Sequence, residues 1–125
     1  MPSQLAVALG ALALFQFKHF LCDFALQNEY QLRAKRTYGH LGGALHSFLH
    51  ALATVPIFIL LRPSFGLVLA IVAAETFLHY HIDWLKERIM AERNWGVEDR
   101  EYWRMFGIDQ MLHQLTYVGI IAVTS

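Results

Sequence analysis

Charge is scarce in this sequence. Only 16% of the 125 residues are Asp, Glu, Lys or Arg, against about 25% in typical soluble domains. Ten basic and ten acidic residues cancel to a net charge of zero. A soluble domain this small needs more polar surface, so the shortage argues against the ordinary water-soluble class and makes a lipid bilayer the expected surroundings. The zero net charge leaves nothing to attract a polyanion, and no nucleic-acid partner is expected. Cysteine is almost absent. Cys22 stands alone, which excludes an internal disulfide framework and a Cys-rich zinc module. The N-terminus lacks the basic start of a secretory signal and its apolar run is too long for one, so the first segment reads as a retained helix.

Apolar residues are abundant instead, at 56%. They gather into four segments, at about 5–27, 42–61, 64–85 and 106–123. Each is close to the roughly 20 residues that cross a bilayer core. Arg62, Pro63 and Ser64 make a tight turn between the second and third, with Pro63 at a helix start where its missing N–H does no harm. The polar connections, at about 28–41 and 86–105, hold eight of the ten Lys and Arg residues. Basic loops stay in the cytoplasm, so both termini are expected outside. Within the second loop, residues 97–106 read as a short amphipathic turn with Asp99 near its start, and Trp95 and Trp103 as members of an interfacial aromatic belt. The expected fold is all-α: one membrane domain, residues 1–125, built as an antiparallel bundle of four transmembrane helices.

The chain also repeats itself. Phe17, His19, Phe20, Asp23 and Phe24 match Phe77, His79, Tyr80, Asp83 and Trp84 in type and spacing. His46 and His50 on the second segment correspond to Asp109 and His113 on the fourth. Each half is thus a His-x-x-x-Asp helix, a basic loop and a helix whose motif ends in Leu-His. Both halves start on the same side, which predicts a pseudo-twofold axis along the membrane normal.

Residues four apart share one helix face. Four such pairs occur, one per segment: His19 with Asp23, His46 with His50, His79 with Asp83, and Asp109 with His113. At 1.5 Å per residue, Asp23, His46, Asp83 and Asp109 fall roughly 5–6 Å inside the cytoplasmic helix ends, and His19, His50, His79 and His113 roughly 10–12 Å inside. Two stacked ligand layers result. Ionisable groups at such depth need partners, and imidazole with carboxylate suits divalent transition metals. Eight ligands exceed one tetrahedral zinc, so two ions are expected, zinc first and manganese, iron or nickel as alternatives. The competing reading is a metal-free hydrogen-bonded network that only locks the helices together.

Other polar residues have narrower readings. Glu75 lies one turn beyond His79 on the same face, and reads either as a candidate acid/base or orienting partner or as a single buried, protonated glutamate hydrogen-bonded to another helix. Asp23 is the other candidate for proton transfer. Gln27, Lys86 and Gln110 flank the cytoplasmic layer as candidate substrate contacts. Gly42 and Gly43 suit close helix approach. Tyr117 follows His113 by four residues and reads as packing or as a hydrogen-bonding partner near the inner layer. Lys18 points away from the ligand face and has no assigned role, and His40 and His81 lie off that face.

The motifs His19-x-x-x-Asp23-x-x-x-Gln27, His46-x-x-x-His50, His79-x-x-Ile82-Asp83-x-x-Lys86 and Asp109-Gln110-x-x-His113 span nearly the whole chain. In this combination the chain resembles the bacterial membrane family called domain of unknown function 3307. The resemblance implies a multi-pass protein of the bacterial inner membrane and this ligand set, and brings no activity. A looser similarity, in the His-x-x-x-Asp pair alone, is to zinc-dependent phospholipase C, P1-type nucleases and membrane-bound metal-dependent hydrolases. It implies hydrolysis of a phosphoester or lipid phosphate near the cytoplasmic leaflet, with the bilayer and an anionic lipid as partners. The competing expectations are a divalent-metal transporter or sensor acting as a homo-oligomer, a di-metal redox enzyme, and a structural membrane protein.

Overall fold

A computed structural model describes residues 2–125, and every regular element among them is helical. Helix α1 spans Gln4–Phe20 and runs on into a π-helical turn, Leu21–Ala25. Ser3 starts it by accepting from the Ala6 N–H at 3.2 Å, the usual way a short polar side chain satisfies an orphan donor. The wide turn closes with an N–H of Leu26 reaching the Leu21 carbonyl at 2.7 Å, five residues back. Helix α3, Leu41–Thr54, tightens into a 3-10 turn at Val55–Ile57 and resumes as α4, Phe58–Leu61. Pro56 sits in that turn, where it has no N–H for an interior helical bond. Arg62 ends α4 in the left-handed region, φ 52°, and Ser64 caps the next helix, α5, Phe65–Glu92. Helix α6 is Arg100–Thr124.

Three helical stretches are long and apolar enough to cross a membrane: Gln4–Ala25, Leu41–Leu61 and Phe65–Glu92. Helix α6 is as long, but Asp109, Gln110, His113 and Gln114 lower its mean hydropathy. Helix α3 packs on α5, α5 on α6, and α1 on both α3 and α6.

The polar connections differ from the expected loops. The first holds a short helix, α2, Glu29–Ala34, capped by Asn28, whose side chain accepts from the Gln31 N–H at 2.9 Å. The second is mostly helix: α5 continues to Glu92, and residues 97–106, read as an interfacial turn, include the first turns of α6. Hydropathy locates the apolar core of a helix, not its ends, and Lys, Glu and Arg are good helix formers. The break falls at Asn94, φ 53°, and Gly96.

Helix α2 lies against α3 at Gly42. A Cβ there would stand 2.6 Å from the Ala34 Cβ and 3.0 Å from the Tyr30 carbonyl oxygen, so the contact requires glycine.

The interior has two parts. Ala11, Phe15, Ile57, Phe58, Ile71 and Ile120 form an apolar core along one half of the helices. The other half buries His19, His46, His50, His79, Asp83, Asp109 and His113. Large apolar side chains meanwhile face outward, Phe17, Ile59, Leu69 and Phe77 among them. This is the reverse of a water-soluble protein.

Candidate metal centre

Each ligand pair occupies one helix wall. His46 and His50 come from α3, His79 and Asp83 from α5, Asp109 and His113 from α6. His19 ends α1, and Asp23 sits in the π turn that follows. π turns re-aim side chains and recur at functional sites. Here Asp23 Oδ1 lies 2.7 Å from His50 Nε2 and 3.1 Å from His46 Nε2.

The rings of His19, His50, His79 and His113 neighbour one another in a circuit. Centroid separations are 5.6 Å from His19 to His50, 3.9 Å to His79, 4.1 Å to His113 and 5.6 Å back to His19. Two groups of donor atoms converge within it: Asp23, His46, His50 and His79, and then His79, Asp83 and His113, each with its donors within 4.8 Å of one another. His79 belongs to both.

Between them lies a nearly equilateral triangle. His46 Nε2 and His79 Nε2 are 3.3 Å apart, and Asp83 Oδ2 is 3.5 Å from the first and 3.4 Å from the second. Bonds of about 2.0–2.1 Å at tetrahedral angles give ligand-to-ligand edges of about 3.3 Å. The donors are therefore as close as the ligands of one ion or of two adjacent ions. One further buried atom fits a cation: Asp109 Oδ1 makes no hydrogen bond, and an unsatisfied buried carboxylate oxygen is costly, whereas Asp83 Oδ2 already has the Lys35 ammonium at 2.9 Å. Both carboxylates flank one ring: His113 Nε2 lies 3.1 Å from Asp83 Oδ1 and 3.3 Å from Asp109 Oδ1. The His/Asp groups can hold a metal ion.

Six of the eight candidate ligands thus fall in the two groups: Asp23, His46, His50, His79, Asp83 and His113. Asp109 stands beside the second, near Lys86 Nζ at 3.5 Å. His19 is already committed. Gln110 donates from Nε2 to Asp109 at 3.1 Å, so its Oε1 accepts from His19 Nε2 at 2.8 Å. The Tyr117 hydroxyl then donates to His19 Nδ1 at 2.8 Å, which leaves no ring nitrogen free. Gln110 and Tyr117 are therefore orienting partners of His19. Gln27 donates to the Asp23 carbonyl at 3.0 Å, and its Oε1 is buried without a partner.

Glu75 and Lys18 meet in a separate cluster, where Glu75 bonds to another helix and Lys18, which the sequence left without a role, finds its partner. Lys18 is buried and pairs with Glu75. Thr54 donates to Glu75 Oε2 at 2.7 Å and accepts from Lys18 at 2.9 Å. The Lys18 ammonium also lies 4.6 Å from the Tyr117 ring centre. This cluster joins α1, α3, α5 and α6, and Glu75 belongs to neither ligand group. His40 caps α3 by accepting from the Gly42 N–H at 3.0 Å, and His81 bonds Tyr38 at 3.0 Å.

Helix α2 contributes two residues that the sequence reading missed. Gln31 Oε1 accepts from His46 Nδ1 at 3.1 Å, which turns the lone pair of Nε2 towards the centre. Lys35 is buried and puts its ammonium 2.9 Å from Asp83 Oδ2. Asn28 as a helix cap was the one available sign of α2. Lys35 reads from sequence as one more basic loop residue.

The fold and site together define an all-helical protein with a buried His/Asp cluster able to hold metal. The chain belongs to the family described as protein of unknown function (DUF3307), which it matches over residues 11–125. No curated protein and no solved structure matches it.

Proposed function

We propose that this protein is a membrane-embedded, metal-dependent hydrolase of a phosphoester or lipid phosphate. It would sit in the bacterial inner membrane as a pseudo-twofold bundle of four spanning helices, with both termini outside and the centre near the cytoplasmic leaflet. The observation that carries the reading is the pair of buried donor groups, Asp23, His46, His50 and His79 and then His79, Asp83 and His113, which share His79 and have their donors within 4.8 Å of one another. The inverted distribution of polar and apolar residues and the basic connections support the membrane placement.

Asp23, His46, His50 and His79 would hold one divalent ion, and Asp83, His113 and Asp109 a second. Zinc suits this mixture of imidazole and carboxylate best. Such ions supply Lewis acidity towards a phosphoryl oxygen and a water activated for attack. The chain's own residues do the rest. Lys86 attracts the substrate phosphate, and an apolar groove of about 320 Å³ between α5 and α6, walled by Leu78, Ile82, Ile108 and Leu112, reaches Lys86 and Asp109 and suits a lipid chain. Of the two proton-transfer candidates, Asp23 is taken up as a ligand of the first ion, and the carboxylate of Glu75 is engaged by Lys18 and Thr54. The same Lys18–Glu75 pair weighs against a transport role, since it engages the deeper carboxylate that a path for a divalent cation would use.

The test is elemental analysis of detergent-purified protein together with turnover of a lipid phosphate in mixed micelles. Close to two ions per chain are expected. His50→Ala and Asp83→Ala should lower that number and abolish phosphate release. Wild-type metal content in both variants would defeat the ligand assignment. Full metal content without turnover of any phosphoester would defeat the hydrolase.

A further inference from the structure

Lys35 is an unusual neighbour for a metal centre. Its side chain is about 5% exposed, and its ammonium lies 2.9 Å from Asp83 Oδ2. That oxygen is also a vertex of the donor triangle. Lys35 follows the last residue of α2, a helix held in place by Gly42 and by the Gln31–His46 bond. Its position is therefore built into the fold.

We infer that Lys35 is a tethered cation that competes with a metal ion for Asp83 and so sets the affinity of the second ion position. An ion bound to Asp83 Oδ2 at about 2.1 Å would lie within about 5 Å of the Lys35 ammonium at its present place. At an effective dielectric constant of about 20, repulsion between a divalent ion and an ammonium at that range amounts to well over a factor of ten in binding. The second ion must therefore displace Lys35 or bind against it. The first group, Asp23, His46, His50 and His79, has no lysine on its carboxylate among the described ion pairs. The two positions should therefore fill in order, with Asp83 last. Without metal, Lys35 compensates the Asp83 carboxylate, which would otherwise be a costly buried charge.

The inference rests on the metal reading, and its test separates the two. Metal-stripped protein in detergent is titrated with Zn²⁺ alone by calorimetry, and stoichiometry is checked by elemental analysis. Wild type should show two binding events, the second weaker. Lys35→Met and Lys35→Gln should tighten the second event at least about tenfold and change the first by less than about threefold. Lys35→Arg, which keeps the charge, should resemble wild type. Damage to the fold weakens binding, so a gain in affinity is a result that a merely structural role does not produce. Circular dichroism identifies any variant that has lost helix, and the other neutral variant then decides. Two events that neither neutral substitution tightens overturn the role of Lys35 and leave the centre standing. No binding in any of the four proteins overturns the centre and, with it, this inference.

Discussion

The two halves of the interior are held together by different physics. In the half around Phe15, Ile57 and Ile71, the residues inside are of the same chemical kind as those outside, where Leu9, Ile59 and Leu69 are exposed. If lipid surrounds the chain, burying such a side chain gains little, because acyl chains are as apolar as leucine. Shape then decides, as in the stacking of Phe15 on Tyr117 with ring centres 4.8 Å apart. In the half around the histidines the inside is unlike the outside, and every buried imidazole and carboxylate needs a particular partner. The polar half should therefore tolerate substitution least, although the apolar half looks more like an ordinary core.

The sharpest way to break this contrast is at the border between the halves. Lys18→Met should leave Glu75 buried and uncompensated, and lower unfolding stability in detergent by about 3–5 kcal/mol. Adding Glu75→Leu should recover most of that loss, as measured by thermal or denaturant unfolding of the single and double variants. If the double variant is no better than the single, the pair is not the source of the cost. Next in size is metal removal. A chelator should reduce stability by about 2.7 kcal/mol where free metal had stood at 100 times its Kd, seen as a lower Tm that returns when metal is restored. An unchanged Tm would show that the polar half holds itself together without ions. A smaller effect is expected of Gln31→Leu, which removes the acceptor that orients His46. It should weaken the first metal site by about 10- to 100-fold while helical circular dichroism stays constant. Smallest is Ile57→Val in the apolar half, at about 0.5–1.5 kcal/mol and with no change in metal content. A loss larger than that of Gln31→Leu would reverse the proposed ranking of the two halves.

The paired residues were legible in the sequence because helical geometry fixes what lies four residues away. His46 with His50, and His79 with Asp83, face one centre for that reason. The Arg62–Ser64 turn was legible through its proline, while the part of Ser64 as the cap of the next helix, which starts at Phe65, appears only in the structure. What was hidden depends on contacts between elements. Lys18 sits beside His19 in the chain, and nothing local shows that Glu75, 57 residues away, will meet it. Lys35 and Gln31 enter the centre only because α2 folds back on Gly42. The same Lys35 is a natural count towards a basic cytoplasmic loop, and a side chain that serves two purposes discloses only the commoner one. The commitment of His19 was hidden as well, since it follows from the partners of Gln110 and Tyr117 on another helix.

The π turn at Leu21–Ala25 gives the first helix a residue of slack. Relaxing it to ordinary α geometry shifts the register by one position, and each residue of an α-helix subtends about 100°. Asp23 would then swing away from His46 and His50 while the anchored span before it stays where it is. Deleting Leu21 or Cys22, which precede Asp23 in this turn, would therefore leave a helix of nearly the same length with its carboxylate on the wrong side. The placement of Asp23 in the centre thus depends on the geometry of one turn as much as on the residue itself.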